Sequence, residues 1–436
     1  MDDGVPGRPG ALYRVDPRVF RDGDNDGVGD LIGLIAELDY LRMLGVDGLW
    51  LASSSPPLPR GVASLVPDVD LLAAAGSPAL FGLLTREAHR RGLRVLLDID
   101  PIPERASRRE APAQAKPRAE DGGPGRTATR AAGPTAAARR WLDIGADAVW
   151  TGGEWQMTWA PAGSESALVR GLASPSVLFA ADSGPVGHPL CPVCADPAHC
   201  AAPPSSGDGG RWEPRRLVAA MTAARAPVPE GSPLWVLSEP GAPRACGWMG
   251  PGLARLAATL LLTLPGIAVV TGGDEVGVVD GFPGPEVGRR TDRAGRTPDR
   301  APMPWDERPN GGFASEPWRP LVGGGVAPVS RQRRDPDSLL SFHRRLIALR
   351  WSEPTLVHGS VSPVLAEGDV LAYLVEGPGN RVLVALNGGE EPTEVPLHDP
   401  LSGHVVLATD RRREGLRTSA AIRLGPMEAV VIRLIA

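Results

Sequence analysis

The chain has 436 residues, 46 basic against 51 acidic, and a formal charge of −5. That balance gives no cationic face for nucleic acid, and no run of about 18 apolar residues predicts a membrane span. The four cysteines do not make a disulfide scaffold, and the start, Met1-Asp2-Asp3-Gly4, lacks the basic and apolar regions of a leader, so a cytoplasmic protein is expected.

Its 54 glycines and 47 prolines make up almost a quarter of the chain, while Tyr (3), Phe (6) and His (7) are scarce. The basic residues are all arginine except Lys116. A folded, loop-rich protein of two domains is expected from length and composition together.

The first hundred residues alternate between two periods. Residues 11–15 are a short apolar run, 31–44 carry apolar residues at helical spacing, and Gly45 stops them. Residues 46–51 read as a buried strand, 80–91 as a helix ended by Gly92, and 93–99 as another strand. Such alternation predicts parallel β/α units. Residues 104–135 lose large apolar side chains and read as a disordered linker. Helix 136–144 and strand 146–150 resume the pattern, followed by a strand at 176–181 and a loop at 184–210. Helix 215–224, strand 235–237, helix 253–264 and strand 267–270 come next, then a long Pro/Gly/Arg-rich excursion at 278–336 and an amphipathic helix at 338–350.

After Pro354 the period changes to two. Strands are predicted at 370–375, 381–387, 393–396, 405–409 and 429–434, which reads as an all-β sandwich over 354–436. The expected boundaries are therefore 1–103, the linker 104–135, 136–353 and 354–436.

Residues 12–51 (LYRVDPRVFRDGDNDGVGDLIGLIAELDYLRMLGVDGLWL) resemble the opening of the α-amylase family of glycoside hydrolases. The branch is that of the α-glucosidases, oligo-1,6-glucosidases and trehalose synthases. Residues 88–98, 141–149, 253–277 and 301–313 resemble later segments in the same order. The resemblance implies a (β/α)8 TIM barrel followed by a C-terminal β-sandwich, acting on α-glucosides or oligosaccharides. It also implies two carboxylates flanking the scissile bond at the C-terminal ends of the strands.

The family's catalytic pattern is broken at each expected place. Asp98 remains, but Ile102-Pro103 stand where the family has Asn-His, and Trp150-Thr151-Gly152 stand where it has Arg-x-Asp. Ala180-Ala181 replace Gly-Glu, and Ser238-Glu239-Pro240-Gly241 replace Gly-Asn-His-Asp, although Pro243-Arg244 still match. A non-catalytic protein is expected, a binding or partner protein; the heavy subunits of heteromeric amino-acid transporters resemble this situation, though no membrane span is predicted here to match theirs. One alternative is an active α-glucosidase or glucosyl-transferring enzyme with relocated carboxylates, Asp182 and Glu239 together with Asp98 or Asp100; the other is a zinc-binding module on a dead barrel.

Two metal motifs stand apart from the barrel chemistry. Asp22, Asp24, Asp26 and Asp30, with Gly27 for the turn and the Val28 carbonyl, form the oxygen-rich loop that Ca²⁺ prefers, and the family carries a Ca²⁺ loop here. His188, Cys191, Cys194 and Cys200 offer a Cys₃His set for Zn²⁺; a loop thiol cluster or redox pair is the other reading. Trp150, Trp155, Trp159 and Trp248 near strand ends are read as filling a lost sugar site, with stacking on sugar rings as the other role; His343 is read as a structural residue and Cys246 as a lone buried thiol. Asp274 and Glu275 match family residues after the eighth strand and are expected to shape the barrel rim.

Overall fold

A computed structural model describes residues 10–51, 78–98, 136–150, 155–157, 172–177, 212–224, 232–237, 244–279, 301–318, 321, 325–377, 380–396, 402–418 and 421–435. Among them, no helix is long and apolar enough to cross a membrane.

The first half is built of strands β1 (Ala11–Val15), β2 (Gly48–Leu51), β3 (Arg94–Asp98), β4 (Ala148–Trp150), β5 (Trp155–Met157), β6 (Leu172–Val177), β7 (Ser232–Val236) and β8 (Ile267–Thr271). They form one sheet in the order β5-β4-β3-β2-β1-β8-β7-β6. Every pairing is parallel except β4 with β5. Parallel neighbours need crossovers. These are α1 (Leu31–Ala36) with α2 (Leu38–Leu44), α3 (Pro78–Arg90), α4 (Ala136–Ile144), α5 (Pro214–Ala224) and α6 (Ala245–Thr263). The architecture is the expected (β/α)8 barrel.

Alternation along each strand separates two cores. Leu12, Trp50, Leu96, Ala148, Leu234, Val236, Ile267 and Val269 pack together inside the barrel. Their neighbours Ala11, Tyr13, Val15, Leu49, Val95, Val149, Trp235 and Val270 turn outward into the large core shared with the helices. Burial on both faces explains why these strands read as apolar runs rather than as alternating ones.

The crossover loops repeat one device. Gly45-Val46-Asp47-Gly48 and Gly145-Ala146-Asp147-Ala148 each place an aspartate just before a strand. The Asp47 carboxylate accepts the Ala11 amide at 2.7 Å, and the Asp147 carboxylate accepts the Val95 amide at 2.7 Å. Each aspartate thereby fastens its strand to the start of the preceding one.

Three sequence expectations are corrected. The helix expected over 31–44 is two helices, broken at Glu37, whose backbone leaves the helical region. The Glu37 carboxylate lies 3.8 Å from both Arg21 and Arg333, an arrangement that periodicity cannot report. The strand expected at 176–181 lies earlier, at Leu172–Val177, and β5 has no counterpart in the expected list. Three residues are too few to display a period. Finally, the 278–336 excursion is not uniformly a solvated loop: Ala301, Met303, Trp305 and Phe313 are buried in the main core.

Helices α7 (Val329–Gln332), α8 (Leu339–Ser352) and α9 (Thr355–His358) lead into the C-terminal domain. Its strands are β9 (Ser360–Glu367), β10 (Val370–Gly377), β11 (Asn380–Asn387), β12 (Thr393–Pro396), β13 (Gly403–Ala408), β14 (Arg417–Thr418), β15 (Ala421–Leu424) and β16 (Glu428–Leu434). Six form an antiparallel sheet in the order β14-β13-β16-β11-β10-β9, and β12 pairs with β15 in a second. Val395, Ile422 and Leu424 of the small sheet pack on Ala372, Leu383, Ala385, Val430 and Ile432, giving the sandwich core. The opposite face of the large sheet, Leu371, Tyr373, Val384 and Val431, joins the barrel's outer core. Barrel and sandwich therefore share a continuous apolar interior.

A single buried arginine closes the floor of the barrel. Arg350 of α8 donates to the carbonyls of Gly10, Leu262, Leu264, Leu356 and Gly266, at 2.5–3.0 Å. These carbonyls belong to the approaches to β1 and β8 and to α9, so one side chain ties the first and last strands of the barrel to the domain junction. Burial pulls its pKa down to about 10.

Candidate functional site: barrel mouth and acidic loop

Strands β1, β2, β3, β4, β7 and β8 deliver their last residues to the C-terminal mouth, where a (β/α)8 barrel does its chemistry. Asp98 ends β3 and pairs in register with Trp150, the last residue of β4. The side chains of Asp98, Trp150, Trp155 and Trp248 lie outside the described residues, as do Asp100, Ile102, Gly152, Trp159, Ala181, Asp182, Glu239 and Gly241. The Zn²⁺ candidates His188, Cys191, Cys194 and Cys200 lie outside them too.

Below the mouth the barrel axis is filled. The Arg14 guanidinium lies 5.3 Å from the centre of the Trp50 ring, and the two residues are 7% and 2% exposed. Arg14 pairs in register with Trp50 on one side and Thr271 on the other, so all three belong to one layer. An inward-facing cation stacked on an indole supplies volume and a fixed positive charge, but no nucleophile. Among the described residues Trp50 is the tryptophan of this interior. Its inward facing follows from strand register, which sets Trp50 level with Arg14 and in the same phase as Leu12.

The rim after β8 is a polar knot. Glu275 is fully buried, and its Oε1 accepts the Tyr13 hydroxyl at 2.9 Å and the Tyr40 hydroxyl at 2.5 Å. Its Oε2 accepts the Gly273 amide at 2.8 Å. Three donors converging on one side chain demand an acceptor-only carboxylate. Burial raises the Glu275 pKa, with these hydrogen bonds opposing the rise, and it also raises both tyrosines. Arg244, which precedes α6, donates to Gly272 at 2.6 Å and to Ala301 at 3.1 Å, joining the segment after β7 to the rim. Cys246 is buried nearby with its thiol 3.6 Å from the Asp274 carbonyl. This knot orders the rim without exposing a reactive group. Tyr40→Phe removes one of three donors to a buried anion and is expected to cost about 1.5–3 kcal/mol in urea unfolding. A loss below about 0.5 kcal/mol would remove the carboxylate from its proposed place as the knot's centre.

The acidic loop is a separate feature on the rim of α1. Asp22, Asp24 and Asp26 each bring one carboxylate oxygen into a group whose three members lie within 4.8 Å of one another. Asp22 is buried and accepts the amides of Asn25 at 2.7 Å and Gly27 at 3.1 Å; Asp24 and Asp26 are exposed. Asp26 accepts the Val28 amide at 2.7 Å. Gly27 has φ +90°, and a Cβ there would stand 2.4 Å from the Glu316 carbonyl, so both the turn and its contact require glycine. Asp30 does not join the three converging carboxylates: its Oδ1 caps α1 through the Gly33 amide at 2.7 Å. Burial and the nearby Asp24 and Asp22 raise its pKa. The loop is clamped from outside, by Ser315 Oγ donating to the Asn25 carbonyl and the Trp318 amide donating to that of Gly27.

Comparison with known proteins agrees with this architecture. The family described as alpha amylase, catalytic domain, matches residues 14–101 and 238–359. A probable alpha-glucosidase of Rhizobium meliloti (strain 1021) is 25% identical over 531 aligned positions, covering 91% of this chain and 92% of the relative. The amino acid transporter heavy chain SLC3A2 of Mus musculus is 26% identical over 434 positions, covering 95% and 75%. Among solved structures, the trehalulose synthase MutB of Pseudomonas mesoacidophila MX-45 superposes with a TM-score of 0.69 at 20% identity, covering 99% of this chain and 100% of that one. The barrel, the sandwich and these matches define a glycoside-hydrolase-like protein, and the chain belongs to the α-amylase family. Within it, the chain falls in the glucosidase and trehalose synthase branch.

Proposed function

We propose that this chain is a non-catalytic member of the α-amylase family, serving α-glucan or trehalose metabolism as a binding or partner protein inside the cell. One observation carries the reading: glycine occupies two of the family's carboxylate positions, Gly152 and Gly241, and alanine the third, Ala181. Glycosidic cleavage needs one carboxylate to attack or stabilise the anomeric centre and another to protonate the leaving oxygen. Glycine and alanine do neither. One long match, named as an amino acid transporter heavy chain, supports the same reading.

The ligand class follows from relatives: MutB has been solved with sucrose as substrate and with isomaltulose, so an α-glucoside or oligosaccharide is the ligand to test here. The decisive assay is nitrophenol release from p-nitrophenyl α-glucoside and glucose release from sucrose. Rates at the buffer level are expected. Turnover that disappears in Asp182→Asn/Glu239→Gln would overturn the reading and install those relocated carboxylates, with Asp98, as the catalytic set.

The acidic loop fits a structural Ca²⁺. Ligands on opposite sides of a calcium ion stand about 4.8 Å apart, twice a bond of about 2.4 Å, and the three carboxylates meet that limit. Asp22, Asp24 and Asp26 would hold the ion; Asp30 and the Val28 carbonyl are the further candidate ligands. The ion would supply charge neutralisation for the loop beside α1. Thermal unfolding is expected to rise with millimolar Ca²⁺ and fall with chelator, by about 2–3 kcal/mol of stability at a hundredfold excess over Kd. Asp24→Ala is expected to abolish the difference; an unchanged melting curve in wild type would remove the ion.

For the Cys₃His set, Zn²⁺ is proposed at His188, Cys191, Cys194 and Cys200. Elemental analysis of the purified chain beside Cys191→Ser is the corresponding check, with one zinc per chain expected and lost in the variant.

A further inference from the structure

The solvent face of α8 carries Arg344, Ala348 and Trp351, spaced four and three residues apart along one stripe. The outer stripe of a surface helix is ordinarily polar. Here it ends in an indole that is 64% exposed. Met43 of α2, also half exposed, lies across the seam between the two helices. Two hydrogen bonds join them: Trp351 Nε1 donates to the Gly45 carbonyl at 2.9 Å, and Arg344 Nε donates to the Met43 carbonyl at 3.1 Å.

These bonds decide what the patch presents. The polar edge of the indole turns inward to the end of α2, and its apolar face turns outward. The side chain is also fixed, so little rotamer entropy remains to be lost on contact. Tryptophan, methionine and arginine on one rigid surface form the residue set that anchors protein interfaces.

Charge indicates the occupant. Arg42 and Arg344 are exposed beside the patch, and Arg42 lies near enough to Asp39 on the same helix for their charges to interact. The acid on the same helix, Asp39, is bound by Arg91 at 2.9 Å. The patch is thus locally cationic on a chain of net charge −5. A second copy related by a twofold axis would bring like arginines together. An anionic membrane would face two arginines on an otherwise acidic protein.

We propose that the α2–α8 seam is a docking surface for a different protein, one that presents carboxylates around an apolar pocket sized for the Trp351 indole. This deepens the partner role proposed above. Gly45 lies at the approach to β2, opposite the barrel mouth, so loss of this surface leaves the glycosidase assay unaffected and the two readings fail separately.

The test uses the full chain and a display library of random peptides, selected for binding to the wild type. The recovered peptides are expected to combine acidic residues with an aromatic or aliphatic centre. They should bind Trp351→Ala and Met43→Lys at least about tenfold more weakly, with weakening by salt. Arg42→Glu, which touches no backbone group, is expected to weaken binding as well, should Trp351→Ala fold poorly. Peptides that bind all variants equally, or that carry no acidic residues, overturn the proposal. So does a wild-type dimer that Trp351→Ala converts to monomer, or Trp351-dependent binding to phosphatidylserine vesicles.

Discussion

Arg350→Met is expected to cost about 3–5 kcal/mol in urea unfolding, the largest effect of any single substitution proposed here. The substitution keeps most of the volume but withdraws the guanidinium from five carbonyls, of which that of Gly10 keeps the Ala268 amide as a donor. Each buried acceptor left without a partner costs about 1 kcal/mol or more. Arg350→Lys retains a charge but offers three donors from one point, not a planar fork, and should recover only part of the loss. The comparison matters because the guanidinium bridges the floor of the barrel and the junction with the sandwich. Equal stability of wild type and both variants would show that this bridge does not hold the domains together.

Acidification is expected to destabilise the chain through His343. The ring is buried on α8, its Nδ1–H donates to the Leu339 carbonyl at 3.0 Å, and burial pulls its pKa down to about 4 from 6.5. The nearby Arg255 guanidinium pushes the same way. Between those two values the unfolded chain binds a proton that the folded chain refuses, so stability falls as pH drops from about 6.5 to about 4. The full loss is about 3 kcal/mol. Carboxyls act in the opposite sense, because buried Glu275 and half-buried Asp47 and Glu37 have pKa values raised by desolvation and gain stability on protonation. Comparing wild type with His343→Gln at pH 7 and pH 4.5 isolates the histidine. The variant should lose less stability on acidification; parallel losses would exclude His343 as the source.

Much of the fold was legible because it rests on periodicity. The β/α alternation before residue 100 and the change to a period of two after Pro354 are consequences of which faces are buried. Residues 22–30 likewise predicted a loop whose carboxylates converge, since alternate aspartates about a glycine have few other ways to turn. The structure sharpened that reading by separating Asp30, which caps α1, from the three carboxylates that meet.

Other features required partners distant in the chain. Glu37 breaks the first helix in the grip of Arg21 and Arg333, and Glu275 meets Tyr13 from 262 residues away. A local window sees a charged residue on a helix or after a strand and assigns it to solvent. Tertiary structure reverses that assignment when enough donors surround the charge to replace its water. The exposure of Trp351 is the converse: its spacing in α8 marks the outer stripe, but only the Gly45 carbonyl shows why the indole stays fixed there.

The sequence by itself determined the β/α alternation of the first half, the change of period after Pro354 and the spacing of the aspartates in the acidic loop. Those are properties of residue identity and spacing. Only the tertiary structure decided that the barrel axis holds Arg14 on Trp50 and that one arginine closes its floor. It also decided that barrel and sandwich share one apolar core. These depend on side chains brought together by strand register and helix packing, and their energies come from desolvation that no isolated segment experiences.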